Sequence, residues 1–75
     1  MYQVHISGYR EGKWPFILLL QLLLKYKKMS FADARAIVDN VWAGNTVEVE
    51  FPDLNTAQEF SKSVDEAGLN CIVWQ

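Results

Sequence analysis

Few side chains in this sequence of 75 residues could do chemistry, and they stand far apart. The single histidine, His5, could form a pH-sensitive pair with Glu48 or Glu50, but a lone histidine on a strand is more typical of a solvated surface. The single cysteine, Cys71, fits a small buried apolar residue better than a nucleophile. No serine, histidine and acid set follows from the spacing. We therefore expect no catalytic residue, no metal site, no cofactor and no enzymatic activity.

A group of lysines follows the most apolar part of the chain. Lys25, Lys27 and Lys28 come directly after Leu24. Cations are favoured in the last turn of a helix, which accounts for their position. The formal net charge of the whole chain is −2, whereas nucleic-acid-binding domains carry an overall positive charge. A contact with RNA or DNA is therefore a disfavoured alternative, whose mark would be a steep salt dependence.

Charge is divided along the chain. Residues 1–28 carry five basic residues and one acidic residue, whereas residues 29–75 carry two basic and eight acidic ones. Such an asymmetry can steer a charged partner towards one end of a molecule, and salt screens the effect. Solvated charge without a role explains the same pattern equally well.

Length and composition predict one soluble domain that spans residues 1–75. An apolar content of 51% exceeds that of disordered chains, and no uninterrupted apolar stretch is long enough for a membrane span. The apolar run that begins at Phe16 lies too far from Met1 for a secretory signal. A lone cysteine fits a reducing compartment. We expect a cytoplasmic protein without membrane contact.

Apolar periodicity predicts three strands and three helices. Strands are expected at residues 2–7, 46–51 and 69–74, with Gly8 ending the first and Pro52 the second. The first helix is expected at residues 15–28 and the second at residues 31–42.

Capping residues mark the ends of the last two helices. Ser30 carries the N-cap signature of the second helix, and Gly44 is expected to stop it. Thr56 with Glu59 predicts a capping box that starts the third helix, and Gly68 predicts a left-handed C-cap.

The order of these elements constrains the sheet. A single helix between the second and third strands makes those two strands parallel, while two helices between the first and second reverse the direction. The first strand therefore belongs in the middle. The predicted fold is an α+β two-layer sandwich with a three-stranded antiparallel sheet, order 2-1-3, covered on one face by three helices. On the other face we expect Gln3, His5, Ser7, Glu48, Glu50, Ile72 and Trp74.

Two tracts resemble known families of one fold. Residues 14–51 contain the patterns Pro-x-x-x-Leu, Leu-Leu-x-Lys and Met-Ser-x-x-x-Ala, and resemble the ClpS adaptors that deliver substrates to AAA+ proteases. Residues 57–73 read Ala-x-x-Phe-x-Lys-x-Val-x-Glu-Ala-Gly before a strand, and are similar to the C-terminal domain of the bacterial ribosomal stalk protein. The resemblance implies a ClpS-like fold and, less specifically, an interaction function.

The polar residues of the adaptor's binding site are not retained. Adaptors of this family hold the amino end of a bulky N-terminal residue with an Asn-Asp-Asp loop and a histidine at the end of the second helix. This chain has Arg10, Glu11 and Gly12 in the loop and Trp42 at the histidine position. We therefore do not expect that grip on an N-terminal amine.

The apolar positions of the family's site persist. The resemblance implies a groove of altered shape formed by Phe16, Val38 and Val41, with Trp14 and Trp42 at its rim. Plain core packing would explain the same residues.

The first helix has more apolar residues than a surface helix needs, and its polar arc is narrow, around Gln21, Lys25 and Lys28. Ile17 and Leu24 occupy positions that are polar in the family's pattern. We predict that they form an exposed apolar edge, although a neighbouring loop could cover them.

We therefore predict a non-catalytic, adaptor-like module that binds a protein or peptide through the loop at residues 9–13 and the edge of the first helix. A component of a AAA+ protease or chaperone is one candidate partner. The alternatives are a homodimeric structural subunit, which buries the first-helix edge or the Ile72 and Trp74 face, and a ribosome- or translation-associated docking domain. The candidate partner-binding residues are Arg10, Glu11, Lys13, Trp14, Phe16, Ile17, Leu24, Val38, Val41 and Trp42.

Overall fold

The structure, a computed structural model, describes residues 1–10 and 16–74. Within these ranges six elements follow one another in the predicted order. They are β1 (Tyr2–Tyr9), α1 (Phe16–Lys27), α2 (Phe31–Trp42), β2 (Val47–Phe51), α3 (Leu54–Ala67) and β3 (Leu69–Trp74).

The strands form one antiparallel sheet in the order β2-β1-β3, which confirms the predicted topology. In the centre, Val4 lies opposite Val49 of β2 and Val73 of β3. Helices α2 and α3 pack on the sheet, and α1 packs across both of them. The opposite face of the sheet, which we call the open face, carries Gln3, His5, Ser7, Glu48, Glu50, Ile72 and Trp74.

The core lies between the sheet and the helices. Phe60 of α3 is fully buried, and its ring lies 5.0 Å from that of Phe51 and 5.7 Å from that of Tyr26, measured between centroids. Phe60 therefore joins α3 to β2 and to α1 at once. The other buried apolar residues are Val4, Ile6, Phe16, Leu19, Leu23, Ala34, Val38, Val41, Val49, Ala57, Val64 and Leu69.

The first strand is longer than predicted. Gly8 does not end it, because β1 continues to Tyr9 through a β-bulge between Ile6 and Gly8. Gly8 adopts φ = +140°, and a side chain there would meet nothing within 4 Å. The glycine is therefore needed for its backbone conformation and not for space.

The third helix begins earlier than predicted, and the predicted capping box is wrong. Its N-cap is Asp53, whose carboxylate accepts hydrogen bonds from the backbone N–H of Thr56 at 2.9 Å and from the Thr56 hydroxyl at 3.0 Å. Thr56 thus belongs to the first turn of the helix. The left-handed C-cap is confirmed, since Gly68 has φ = +108°.

The second helix has both predicted ends. The Ser30 hydroxyl accepts the N–H of Asp33 at 3.2 Å. At the other end, Gly44 has φ = +91° and donates its backbone N–H to the Val41 carbonyl. The backbone N–H of Asn45 donates to the Asn40 carbonyl. These two bonds form a Schellman motif. The predicted start of the first helix at Pro15 lies outside the described residues.

Candidate functional site

Three aromatic side chains from three elements meet at one end of the molecule. Tyr9 ends β1, Phe16 begins α1 and Trp42 ends α2. The rings of Tyr9 and Trp42 are parallel, with centroids 6.2 Å apart. Phe16 presents its ring edge-on to both, at 5.0 Å from Tyr9 and 4.9 Å from Trp42. Edge-to-face contacts of this kind stabilise beyond area burial, so the three rings hold one another in place.

A cavity of about 310 Å³ opens beside these rings, and we call it the aromatic groove. It is lined by Phe16, Val38 and Trp42 together with Arg35 and Asp39. Arg35 Nε donates to Asp39 Oδ1 at 3.3 Å within α2. The groove therefore combines apolar walls with one exposed ion pair, a composition typical of sites that take an apolar side chain and contact polar groups beside it.

The structure places the predicted groove residues unequally. Phe16, Val38 and Trp42 come together around the cavity. Val41 is fully buried in the core and does not line the groove. The rim residue Trp14 and the loop residues Glu11 and Lys13 lie outside the described part of the chain.

Arg10, another predicted contact residue, is tied to the end of α3. Its guanidinium donates to the Asp65 carboxylate at 3.0 Å and also to the Asp65 carbonyl. Its backbone N–H donates to the Gly68 carbonyl at 2.7 Å. These bonds join the end of β1, next to Tyr9, to the C-terminus of α3.

The exposed apolar edge that was predicted for α1 is only partly present. Ile17 is exposed, but Leu24 is half-buried and packs against the core. Leu18, which the sequence did not single out, is exposed in its place. Gln21 and Lys25 are exposed, as the predicted polar arc requires.

A second cavity, of about 430 Å³, lies between α1 and α3. Sequence reasoning missed it. Among the described residues no aromatic ring lines it, and Lys25 and Glu66 place opposite charges at its walls. These lining residues therefore differ from the aromatic anchors of the aromatic groove. The remaining lining residues are Leu18, Gln21, Leu22, Ser63 and Ala67.

On the open face, His5 is held among neighbours. Its ring stacks on Trp74, with centroids 5.3 Å apart, and its Nε2 lies 3.0 Å from Gln3 Oε1. Nε2 also lies 4.0 Å from the Glu48 carboxylate, one of the two acidic partners considered from the sequence. The imidazole therefore packs between a ring and polar groups.

Cys71 is half-buried between β3 and α3. Its thiol donates to the Ser61 carbonyl at 3.2 Å and lies 3.2 Å from the Ser61 hydroxyl. Burial raises the pKa of the Cys71 thiol above its usual value, so the reactive thiolate is disfavoured.

Across residues 1–10 and 16–74, no three His, Cys, Asp or Glu side chains converge as metal ligands would. No helix within those same ranges is long and apolar enough to cross a bilayer. Comparison of the chain with protein-family models, with curated proteins and with solved structures found no match. The likeness to the ClpS adaptors stays a prediction.

Proposed function

We propose that this domain is a non-catalytic interaction module that binds a peptide or protein by taking an apolar or aromatic side chain into the aromatic groove. The observation that carries the proposal is the position of Trp42. Its ring is half-exposed above a cavity that is large enough for a side chain, while Tyr9 and Phe16 hold it from two directions.

A held aromatic ring is a favourable anchor for binding. Interface energy concentrates on a few aromatic or Arg side chains in well-packed pockets. Because Trp42 already packs against two rings, it loses less side-chain freedom when a ligand binds than an isolated surface residue would. The neighbouring Arg35–Asp39 pair offers one donor and one acceptor to the backbone of a bound peptide.

The helix pair that forms the groove is also the part of the sequence that resembles the ClpS adaptors. That resemblance supports a partner among the components of AAA+ proteases or chaperones. The replacement of the family's histidine by Trp42 favours a ligand whose apolar side chain, rather than its N-terminal amine, is recognised.

The proposal is tested by NMR titration of ¹⁵N-labelled protein with a set of short peptides. Each peptide carries one Leu, Phe, Tyr or Trp at its N-terminus, in its middle or at its C-terminus. We expect saturable shifts of the Trp42 indole and of the Val38 amide with at least one class of peptide. Trp42→Ala should weaken that binding about tenfold or more.

The control is Trp74→Ala. Trp74 is 54% exposed and Trp42 is 50% exposed, so both variants remove an equally accessible indole from different faces. Trp74→Ala should leave the affinity within about twofold, since Trp74 lies outside the groove. Shifts confined to the open face, equal losses in the two variants, or a complete set of peptides without shifts in α2 would each contradict the proposal.

A further inference from the structure

The two edge strands of the sheet differ in how well they are protected against pairing with a strand of another chain. An edge strand presents a row of backbone N–H and C=O groups that can pair with another chain. On β2, the Lys27 ammonium donates a hydrogen bond to the Glu50 carbonyl. The side chains of Glu48 and Glu50 add negative charge to this strand, and Pro52 follows it directly. Charged side chains and proline at an edge prevent pairing with another strand.

The β3 edge shows none of these protecting features within the described part of the chain. Its six residues, Leu69–Trp74, include no charged residue and no proline. Within residues 1–10 and 16–74, β3 pairs with β1 only, so no described strand covers its outer side. Its side chains include the exposed apolar residues Ile72 and Trp74.

The residues that offer their backbone outward can be identified. The Gly68 carbonyl accepts the N–H of Arg10 and therefore points towards β1. In a trans peptide the carbonyl and the following N–H point in opposite directions, so the N–H of Leu69 points away from β1. Alternation along an extended strand then directs the backbone groups of Leu69, Cys71 and Val73 to the outer edge.

We infer that β3 pairs antiparallel with β3 of a second copy of this chain, which joins the two sheets into one of six strands. A two-fold axis at Cys71 uses all three outward residues of each copy. Cys71 then lies opposite Cys71, and Leu69 lies opposite Val73 in both directions. The arrangement is isologous and therefore stops at a dimer.

The distribution of charged side chains favours a second β3 strand as the partner of β3. Pairing of β3 with β3 brings no charged side chain opposite another, because the strand has none. Pairing of β2 with β2 would oppose Glu48 and Glu50 to each other, and pairing of β3 with β2 would require Lys27 to leave the Glu50 carbonyl. Pairing of β3 with β2 would also continue head-to-tail into a filament.

The dimer should be weak. A single strand pair buries less than the area of a standard stable interface, so we expect association in the high micromolar to millimolar range. The open faces and the aromatic grooves stay accessible in each copy. This inference is therefore independent of the proposed function.

The first test combines mass and amide exchange under reducing conditions. Sedimentation equilibrium from about 10 µM to about 1 mM should show a monomer converting to a dimer and nothing larger. Over the same series, the amides of Leu69, Cys71 and Val73 should become slower to exchange by at least about tenfold, as expected when open edge groups gain partners. The amides of Asn70, Ile72 and Trp74 already face β1, so their exchange should depend little on concentration.

The second test removes one outward donor without changing any side chain. Because Cys71 is the only cysteine, residues 1–70 can be ligated as a thioester to a synthetic peptide of residues 71–75 that carries N-methyl-Val73. The same ligation with ordinary valine is the control. The methylated protein should stay monomeric at about 1 mM, while the control dimerises.

A genetic variant repeats the test if N-methylation disturbs the fold. Ile72→Lys places a cation on the β3 edge, and Ile17→Lys is its matched control on α1, since the two isoleucines are 60% and 65% exposed. Ile72→Lys should abolish the dimer and Ile17→Lys should leave it. A monomer at the highest concentration, concentration-independent exchange of Leu69, Cys71 and Val73, growth beyond a dimer, or equal effects of the two lysine variants would overturn the inference.

Discussion

Trp42 and Trp74 are exposed to nearly the same degree but are supported in different ways. Trp42 lies against Phe16, a residue that is itself buried in the core, and against Tyr9 at the end of the central strand. Trp74 lies flat on His5, on the open face of the sheet, opposite Gln3. Trp42 lines the aromatic groove, and Trp74 does not.

Exposed aromatic surface alone therefore does not identify a binding site. A binding anchor needs a firm support behind it and space beside it, and the aromatic groove has both. The ring on the open face lies over a half-buried histidine, His5. The same residue type therefore serves as a candidate anchor in one region and as a cover in the other.

Loss of the Phe16 ring, which supports the aromatic groove, should destabilise the domain more than the loss of any exposed ring. Phe16→Ala removes a buried ring that contacts both Tyr9 and Trp42, so we expect the free energy of unfolding to fall by about 3 kcal/mol. Trp74→Ala removes only a stacked surface ring and should cost about 1 kcal/mol or less. Urea denaturation followed by circular dichroism measures both.

A domain of this size has a stability of only a few kcal/mol, so Phe16→Ala could leave too little folded protein to measure. Phe16→Leu keeps most of the apolar volume and should cost about 1 kcal/mol. Equal losses for the Phe16 and Trp74 variants would show that the open face is as firmly built as the groove, and the contrast between the two regions would be wrong.

The sequence was sufficient for the topology because each element carries its own signal. Alternation at Val47, Val49 and Phe51 predicts a strand, the Ser30 cap and Gly44 bound α2, and Gly68 ends α3. The connections then leave few possible sheets. Sequence also named three of the five described residues that line the aromatic groove, because the pattern of apolar positions in the helix pair is specific.

Two of the features that were not predicted from the sequence are the N-cap of α3 and the unequal burial of Ile17 and Leu24. The first is a choice between two similar cap residues, and the second depends on contacts between elements. Asp53 and Thr56 are both good cap residues three positions apart, and a sequence pattern does not say which of the two caps the helix. Ile17 and Leu24 differ by two helical turns and share one edge by periodicity. Their unequal burial depends on the angle at which α1 crosses the other helices, which one helix's pattern does not specify.

The helices α2 and α3 should differ in their response to acid, because their N-cap residues differ. The α2 helix, which forms the groove, is capped by Ser30, which does not titrate. The α3 helix, which supports β3, is capped by Asp53, whose pKa is held below the usual 3.8 by hydrogen bonds from the backbone N–H and then from the hydroxyl of Thr56. A carboxyl with a lowered folded pKa stabilises above its unfolded pKa and loses that contribution as the pH falls through the folded pKa.

We therefore expect acid to weaken α3 before it weakens α2. Amide exchange and chemical shifts recorded as the pH falls from about 5 to about 2 should show the first turn of α3 opening while the first turn of α2 stays protected. Asp53→Asn keeps a good N-cap without a titrating group, so it should remove the difference. If the two helices respond alike in the original protein, the Asp53 cap does not control the stability of α3.

Substitutions at the edge of α1 should change the stability of the domain least. Ile17→Lys changes an exposed side chain that the core does not use, so the free energy of unfolding should change by less than about 0.5 kcal/mol. Leu24→Ala removes a half-buried side chain that packs against the core, and it should cost about 1 kcal/mol. Urea denaturation distinguishes the two variants.

Ile17→Lys then shows whether the contact surface extends from the aromatic groove along α1. If a partner contacts this edge, the variant should bind that partner several-fold more weakly with unchanged stability, whereas binding confined to the groove leaves the affinity as it was. Because Ile17 adjoins Phe16 in sequence but lies on another side of the helix, its substitution leaves the groove lining intact. A loss of stability as large as that of Leu24→Ala would show that Ile17 is covered, and the α1 edge would cease to be a candidate surface.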